Sequence, residues 1–280
     1  MIISNFHTHT RFCDGAAEPE EYAAEALAQR LKILGYSAHA SVPFPCNWTI
    51  PPDKFQEYLS IVRYLKDKYS GALEIYNGLE IDFIPDLWPQ MEESIKPALL
   101  DYFIGSIHFI DYFEDGIRWS IDGSNEEFQK GWNEIFHGDS HEVVRKYFSY
   151  TRAMIKEMKP PVVGHLDKIK MQYNAHCFIP ETDSVYRKEL MQTLEDIASA
   201  GNVVEINTRG VYRRNEPSFY PGLWVLCEMA KMNIPVMINS DAHHPRELIL
   251  LFDRALEQLR QAGYKNITYF SKGEWLQTGI

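Results

Sequence analysis

The sequence predicts an α/β fold in which seven strand-helix units form a closed (β/α) barrel, in one domain covering residues 1–280. Short β-type runs alternate with amphipathic helical stretches along almost the whole chain, which predicts parallel strands joined by crossover helices. Polar side chains recur at the carboxyl ends of these strands. A barrel brings such ends together on one face, whereas a doubly wound sheet would spread them along an edge. The barrel is therefore the preferred fold.

The predicted strands are short β-type runs separated by stretches long enough to hold a helix. In chain order they are expected at residues 2–6, 33–38, 73–80, 102–107, 162–164, 203–207 and 236–239. Each is followed by polar or helical sequence, so neighbouring strands are expected to run parallel.

Proline and acidic residues mark the first two helix starts. Pro19, followed by two glutamates, places proline at an early helical position and negative charge in the first turn. Pro52, followed by an aspartate, begins a second helix that continues to residue 65. Later helices are expected at residues 141–158, 185–200, 222–232 and 246–262.

Length and composition bound the number of domains. With 45% hydrophobic and 13% aromatic residues, the chain can bury one barrel-sized core or two small ones. No linker rich in proline, glycine or serine, no low-complexity tract and no internal repeat divides the sequence. A single domain is therefore expected.

Composition also argues against several classes of protein. No basic N-terminal leader and no run near the ~18 apolar residues of a membrane helix is present, so a cytoplasmic protein without a membrane partner is expected. Four dispersed cysteines suit reduced cytosolic thiols. A net charge of −11 without a basic stripe argues against nucleic-acid binding. An anionic small molecule stays compatible, because bound metal ions make a site locally positive.

Side chains that can bind metal occur at six of the seven predicted strand ends. His7 and His9 come first, and because residues two apart on a strand face the same way, they can share one ion. The later strand ends carry His39, Glu80, His108, His165, Asp241 and His243. Singly, each has an ordinary explanation such as a core histidine, an ion-pair partner or a helix cap. Their recurrence favours a multinuclear metal site.

The remaining histidines serve as a comparison set. His137, His141 and His176 lie in helical or loop stretches and are assigned to surface or packing roles. His244 is expected to be exposed or to support the site beside His243.

Seven segments of the chain resemble the polymerase and histidinol phosphatase family, abbreviated PHP. They are FHTHT at residues 6–10 with CDG at 13–15, GYSAHA at 35–40, NGLEID at 77–82, GSIH at 105–108, GHLD at 164–167, EINT at 205–208 and NSDAH at 239–243. The resemblance is to the stand-alone histidinol-phosphate phosphatase branch. It implies a distorted (β/α)7, TIM-like barrel of the PHP type.

The resemblance also implies two to three divalent ions, of zinc, manganese or iron. Carried over by position, one ion would be held by His7, His9, Glu80 and Asp241. Glu80 would bridge to a second ion held with His108 and His165, and a third would be held by Asp14, His39 and His243. Asp167 is a candidate to orient a ligand, with a surface ion pair as its alternative.

Such a site would attract a phosphate dianion and activate a bridging water for in-line attack on phosphorus. We therefore expect phosphate monoester hydrolysis without a phosphoenzyme intermediate. Asp241 or His243 would protonate the leaving group.

Cationic side chains are needed for the remaining phosphate oxygens. Arg209 is the first candidate and Arg118 the second; Arg213, Arg214 and Lys168 are further candidates. The resemblance implies L-histidinol phosphate as substrate. Its amine and imidazole would be recognised from loops that carry Asp111, Glu114, Asp115, Trp119, Tyr212 and Glu216.

Three alternatives remain open at this point. The chain could act on another small phosphate ester, hydrolyse a carbon-nitrogen bond as amidohydrolase barrels do, or be a non-catalytic binding module. The full ligand set argues against the last of these. The oligomeric state is not determined by the sequence.

Overall fold

A computed structural model describes residues 4–172, 178–214 and 216–280 as a mixed α/β fold with parallel sheets. The strands are β1 Ser4–Asn5, β2 Ile33–Tyr36, β3 Glu74–Asn77, β4 Glu80–Asp82, β5 Ile104–Ser106, β6 Phe109–Tyr112, β7 Arg118–Ser120, β8 Val162–Val163, β9 Val203–Asn207, β10 Val236–Asn239, β11 Asn266–Ser271 and β12 Glu274–Gly279. The helices are α1 Pro19–Ala28, α2 Phe55–Lys68, α3 Trp88–Ile95, α4 Asn125–Glu134, α5 Ser140–Glu157, α6 Ser184–Ala200, α7 Arg209–Arg214, α8 Leu223–Lys231 and α9 Phe252–Ala262.

The parallel strands form two sheets. One has the order β1-β2-β3 and the other the order β10-β9-β8-β5-β4. Isolated parallel bridges join Thr8 to Ala242 and His39 to Glu80, so the carboxyl ends of the two sheets meet. Within the described ranges the two ladders do not close into one continuous sheet. The predicted parallel strands are therefore confirmed, and a closed barrel is not.

The third predicted strand was wrong in its extent, because it is broken at residue 78. Tyr102 donates bifurcated hydrogen bonds to the carbonyl oxygens of Phe6 (2.6 Å) and Tyr36 (2.9 Å). A Cβ on Gly35 would lie 2.4 Å from the Tyr102 hydroxyl, and one on Gly78 would lie 2.5 Å from its ring. Both glycines thus make room for a tyrosine that fills the space between the strands. Strand pairing resumes only at Glu80.

Helices cover the sheets through apolar faces. In α2 the buried residues are Tyr58, Leu59, Val62 and Leu65, a spacing typical of one helix face. The predicted helix at 246–262 was wrong at its start, since a short 3-10 turn precedes it and α9 begins at Phe252. Helices α3, α4 and α7 were not predicted. In the described part of the chain, none of the helices has both the length and the apolar character of a membrane span.

Two antiparallel hairpins were also not predicted. Strands β6 and β7 form one of them, beside the strand ends, and β11 and β12 form the other. The second turns through Lys272 and Gly273, both at positive φ, and packs Phe270 and Trp275 against the interior cluster. The Lys-Gly turn lacks the Asn-Gly or Asp-Gly signature that most strongly marks a hairpin in a sequence.

The start of α6 offers a test of local stability. The Asp183 carboxylate accepts hydrogen bonds from the backbone N–H groups of Val185 (2.8 Å) and Tyr186 (3.1 Å). Asp183→Ala is expected to lower the free energy of unfolding by about 0.5–2 kcal/mol at neutral pH, in urea titrations. Asp183→Asn, which keeps an acceptor, serves as the control and should lose less.

The same cap sets a pH dependence. Burial alone would raise the pKa of Asp183, but the Tyr186 N–H and His141 lower it overall. A carboxylate with a lowered pKa in the folded state stabilises above its unfolded pKa, and loses that contribution as the pH falls through the folded one. The difference between wild type and Asp183→Ala should therefore shrink below about pH 4. A constant difference down to acid unfolding would contradict the role of the ionised cap.

Candidate metal centre and substrate cavity

The ends of β1 and β10 place the first ligands. The His9 N–H donates to the Ala242 carbonyl (2.8 Å), and the Ala242 N–H donates to the His7 carbonyl (3.0 Å). This pairing continues β1 beyond its last residue. Both imidazoles are fully buried and their ring centroids lie 5.1 Å apart, so the His-x-His pair faces one interior point.

Glu80 lies at the centre of the histidine cluster. One carboxylate oxygen, Oε2, lies 3.1 Å from His7 Nε2, 3.4 Å from His9 Nε2 and 3.1 Å from His39 Nδ1. The other oxygen, Oε1, lies 2.9 Å from His165 Nε2 and 3.9 Å from His108 Nε2. A single buried carboxylate therefore contacts five histidines, which come from four different segments of the chain.

Asp241 and Asp14 complete the cluster. Asp241 Oδ1 lies 3.2 Å from His9 Nε2 and 3.5 Å from His243 Nδ1. Asp14 is more exposed, with its Oδ2 3.0 Å from His243 Nε2 and its Oδ1 3.8 Å from His39 Nε2. All nine predicted ligands thus lie in one continuous cluster whose outer edge, at Asp14 and His243, faces solvent.

Three subsets of these side chains bring their ligand atoms within 4.8 Å of one another. They are His9 with Asp14, His39 and His243; His7 with His9 and Asp241; and His39 with Glu80 and His108. The first two subsets largely follow the predicted grouping. The third differs from it, because His39 takes the place predicted for His165.

The donor set fits divalent ions. His7 Nε2, His9 Nε2 and His39 Nδ1 are buried and have no hydrogen-bond partner, although each faces a carboxylate oxygen at 3.1 to 3.4 Å. Buried polar atoms of this kind are costly unless a partner is supplied. Imidazole nitrogens and carboxylate oxygens that converge without bonding each other are the arrangement that zinc, manganese or iron would complete.

Electrostatics also favour cations. Burial alone would raise the pKa values of Glu80 and Asp241, but the surrounding histidines, His7 above all, hold both well below their ordinary range. Burial, with the neighbouring His243 and His39, lowers the pKa of His9. Ionised carboxylates beside a neutral imidazole are the protonation states that bind metal ions.

Two carboxylates that support the ligands were missed from the sequence. Glu205 on β9 lies 2.9 Å from His7 Nδ1. Burial alone would lower the pKa of His7, but Glu205, Asp241 and Glu80 together raise it well above its ordinary value. Asp82 on β4 lies 3.0 Å from His108 Nδ1. Each therefore leaves the Nε2 atom of its histidine facing the cluster. Asp82 lies two residues after Glu80 on one strand, a spacing that could have indicated it.

A cleft of about 740 Å³ opens over this cluster. Its wall includes Asp14, His39, Glu80, Asp241 and His243 together with Asn47, Trp48, Phe113, Ile117, Arg118, Trp119, Asp122, Glu127, Lys168, Arg209, Arg213, Arg214 and Tyr220. Trp48 was not predicted as a site residue. Its ring meets His39 edge-on with centroids 4.6 Å apart, and it stacks on Phe109 at 5.3 Å.

All five predicted cations line the cleft, but they differ in their partners. Arg209 donates to the Asp241 carbonyl at 3.1 Å. Arg118 forms a two-bond ion pair with Asp86, which neutralises it.

Lys168 lies 2.7 Å and Arg214 2.8 Å from the carboxylate oxygens of Asp122. Arg213 is exposed. Arg118 is on β7, and the other three arginines are on α7.

Most residues predicted to recognise the amine or imidazole have other contacts. Asp111 pairs with Lys146 at 3.4 Å. Tyr212 donates to the Ser240 carbonyl at 2.9 Å. Trp119 is almost fully buried, donates to the Glu127 carbonyl at 3.1 Å and still lines the cleft. Three other residues, Glu114, Asp115 and Glu216, do not line it.

Asp167 corrects another expectation. It is fully buried and pairs with Lys170 at 2.8 Å, while accepting the Gly222 N–H at 3.2 Å. It is therefore neither a surface ion pair nor in hydrogen-bond contact with a candidate ligand. The Gly222 contact joins segments that are distant in the sequence, so the sequence alone did not indicate it.

None of the described comparison histidines belongs to the ligand cluster. His137 is exposed in a turn, and His141 pairs with Asp183 at 3.1 Å. His244 is exposed and caps a short 3-10 turn by accepting the Arg246 N–H at 3.2 Å. His176 lies outside the described residues.

Two proteins with similar sequences carry histidinol-phosphatase in their names. A Deinococcus radiodurans protein named a probable histidinol-phosphatase is 27% identical over 270 residues, covering 95% of this chain and 96% of its own. A Bacillus subtilis histidinol-phosphatase is 26% identical over 272 residues, covering 90% of this chain and 97% of its own.

The fold is also found in a solved structure. The crystal structure of histidinol phosphate phosphatase from Lactococcus lactis, complexed with zinc, L-histidinol and phosphate, aligns with a TM-score of 0.71 and 20% identity. The alignment covers 98% of each chain. The family model of the PHP domain matches residues 5–209, well over half of the sequence. The chain therefore belongs to the PHP domain family.

Proposed function

We propose that this chain is a metal-dependent phosphatase that hydrolyses L-histidinol phosphate to L-histidinol and phosphate, a step of histidine biosynthesis. The observation that carries the proposal is Glu80, a buried carboxylate in contact with five histidines at the base of a cleft lined by cations. Similarity to named histidinol-phosphatases over at least 90% of the chain supports the choice of substrate.

Nine side chains would hold two to three divalent ions of zinc, manganese or iron. They are His7, His9, Asp14, His39, Glu80, His108, His165, Asp241 and His243. When bound, such ions supply positive charge that acidifies a water molecule and stabilises the oxygens around phosphorus. Glu205 and Asp82 hold the His7 and His108 rings in the orientation this requires.

Other cleft residues are proposed to bind the phosphate and to protonate the leaving group. Arg209 and Lys168 lie on different sides of the cluster, one beside Asp241 and the other 3.2 Å from His108 Nε2, so both can donate to phosphate oxygens. Arg118 is a weaker candidate for binding phosphate because its guanidinium group already donates hydrogen bonds to Asp86. Asp241 and His243 are the proposed proton donors to the leaving group, and both line the cleft. Because the pKa of Asp241 is lowered, its carboxylate would first take a proton from the attacking water and then pass it to the leaving oxygen.

We also infer that the two sheets complete a distorted (β/α)7 barrel of the PHP type. The bridges from Thr8 to Ala242 and from His39 to Glu80 support this arrangement, because they link the sheets at both junctions. The carboxyl ends of the strands then surround the cleft, as in barrel enzymes generally. One domain over residues 1–280 and a cytoplasmic location stay predictions.

Steady-state kinetics against a panel of esters tests the substrate. The kcat/KM for L-histidinol phosphate is expected to exceed those for p-nitrophenyl phosphate and O-phosphoethanolamine by at least about tenfold, the ratio given by 1.4 kcal/mol of differential binding. Equal values would leave a phosphatase of different specificity. Hydrolysis of amides or lactones without phosphate release would instead overturn the reaction type.

A further inference from the structure

Asp122 connects three segments at one wall of the cleft. It follows β7, and its Oδ2 lies 2.7 Å from the Lys168 ammonium on the 3-10 turn Lys168–Gln172. Its Oδ1 lies 2.8 Å from Arg214 Nη2 on α7, and its backbone oxygen accepts from the same atom at 3.2 Å. Asp122 has no role in the proposed chemistry so far, although it lines the cleft.

Lys168 depends on this carboxylate. The lysine side chain is 9% exposed, and its Nζ also lies 3.2 Å from His108 Nε2, the atom that faces the metal cluster. Within the described ranges, Asp122 is the carboxylate that lies within 4.0 Å of this ammonium. Removing the carboxylate would leave a buried ammonium without its charged partner, which is strongly unfavourable. The Lys168 side chain would then move toward solvent.

Asp122 does not neutralise all of the positive charge on its wall of the cleft. One carboxylate serves two cations, Lys168 and Arg214, so a net positive charge of about one remains to attract phosphate. By contrast, Asp86 takes up the single charge of Arg118. The arrangement at Asp122 therefore orients cations and leaves them able to bind an anion.

We propose that Asp122 is a positioning residue that holds the Lys168 ammonium beside His108, where it binds the phosphate of the substrate. This inference rests on the proposed function only in requiring a phosphate ester. It does not depend on the identity of the leaving group.

A double-mutant cycle tests the proposal with two readouts. Asp122→Ala, Lys168→Met and the double variant are compared for kcat/KM on p-nitrophenyl phosphate and L-histidinol phosphate. The same proteins, loaded with metal, are titrated with inorganic phosphate by calorimetry. Asp122→Ala is expected to lower kcat/KM and phosphate affinity by about 10- to 100-fold, as small misplacements of binding groups do. In the Lys168→Met background, Asp122→Ala should have almost no further effect.

Controls separate this role from a structural one. In an Arg214→Met background the effect of Asp122→Ala should persist, and the metal content of all variants should equal that of wild type. If Asp122→Ala does not fold, Asp122→Asn, which keeps the shape and removes the charge, takes its place in the cycle. Additive effects of Asp122 and Lys168 would overturn the proposal, as would loss of the effect in the Arg214→Met background.

The test distinguishes its failure from that of the proposed substrate. A wild-type protein without preference for L-histidinol phosphate would refute that substrate, while the cycle on p-nitrophenyl phosphate would still report on Asp122. A metal-loaded wild-type protein that binds no inorganic phosphate would refute the positioning role itself.

Discussion

Glu80→Gln is expected to lower kcat/KM for L-histidinol phosphate by about 10³-fold or more and to reduce the bound metal by more than one ion. Glu80 lies between two groups of histidines, within 3.1 Å of His7 through one oxygen and within 2.9 Å of His165 through the other. An amide cannot offer two anionic oxygens to both groups. Losing several kcal/mol of charge stabilisation in the transition state corresponds to about three factors of ten in rate.

Steady-state kinetics measures the loss of kcat/KM, and elemental analysis of protein purified without added metal measures the loss of bound ions. Glu57→Gln is a matched control, because Glu57 is an exposed glutamate that pairs with Lys54 at 2.9 Å. It should keep full metal content and turnover. Full turnover in Glu80→Gln, or a wild-type protein with less than about one equivalent of metal and no activation by zinc, manganese or iron, would refute the metal centre.

The ligand cluster was predictable because its positions follow from strand geometry. His7 and His9 share one side of a strand, and parallel strands deliver their last residues to one place. Even Glu80, whose strand was assigned wrongly, still arrives at the cluster. The break before it depends on Tyr102, which is distant in sequence and needs Gly35 and Gly78 to fit. Gly78 is a local sign of the break, but the tyrosine that it accommodates cannot be identified from the residues around it.

Partner choice among charged side chains was not predictable. Arg118 and Lys168 are both cations that follow predicted strands, yet their partners differ in effect. Asp86 neutralises the Arg118 guanidinium, whereas Asp122 is proposed to orient the Lys168 ammonium. Those pairs form between segments that meet only in the folded chain, so the sequence around either partner does not indicate them. The supporting role of Glu205 was hidden for the same reason, since its partner His7 lies at the other end of the family match.

Glu205→Gln is expected to weaken metal binding by about 10- to 100-fold, the usual cost of losing a carboxylate that orients a ligand histidine. Glu205 contacts His7 Nδ1 at 2.9 Å and also accepts the His165 N–H at 2.9 Å, so it fixes two predicted ligands at once. It further accepts from the amides of Asn207 and Asn239. A glutamine retains one acceptor and adds a donor, which leaves part of this buried network unsatisfied.

Competition with a chelator gives the apparent metal affinity, and kcat/KM at saturating metal shows whether added ions restore the site. Activity should recover at high metal concentration, because the ligands themselves are intact. Glu189→Gln is the matched control: Glu189 is also buried and ion-paired, with Arg152 at 2.8 Å, but it lies on α6 away from the cleft. Both variants should lose stability, and only Glu205→Gln should lose metal affinity. Equal metal affinities in the two variants would show that Glu205 supports the fold and not the metal centre.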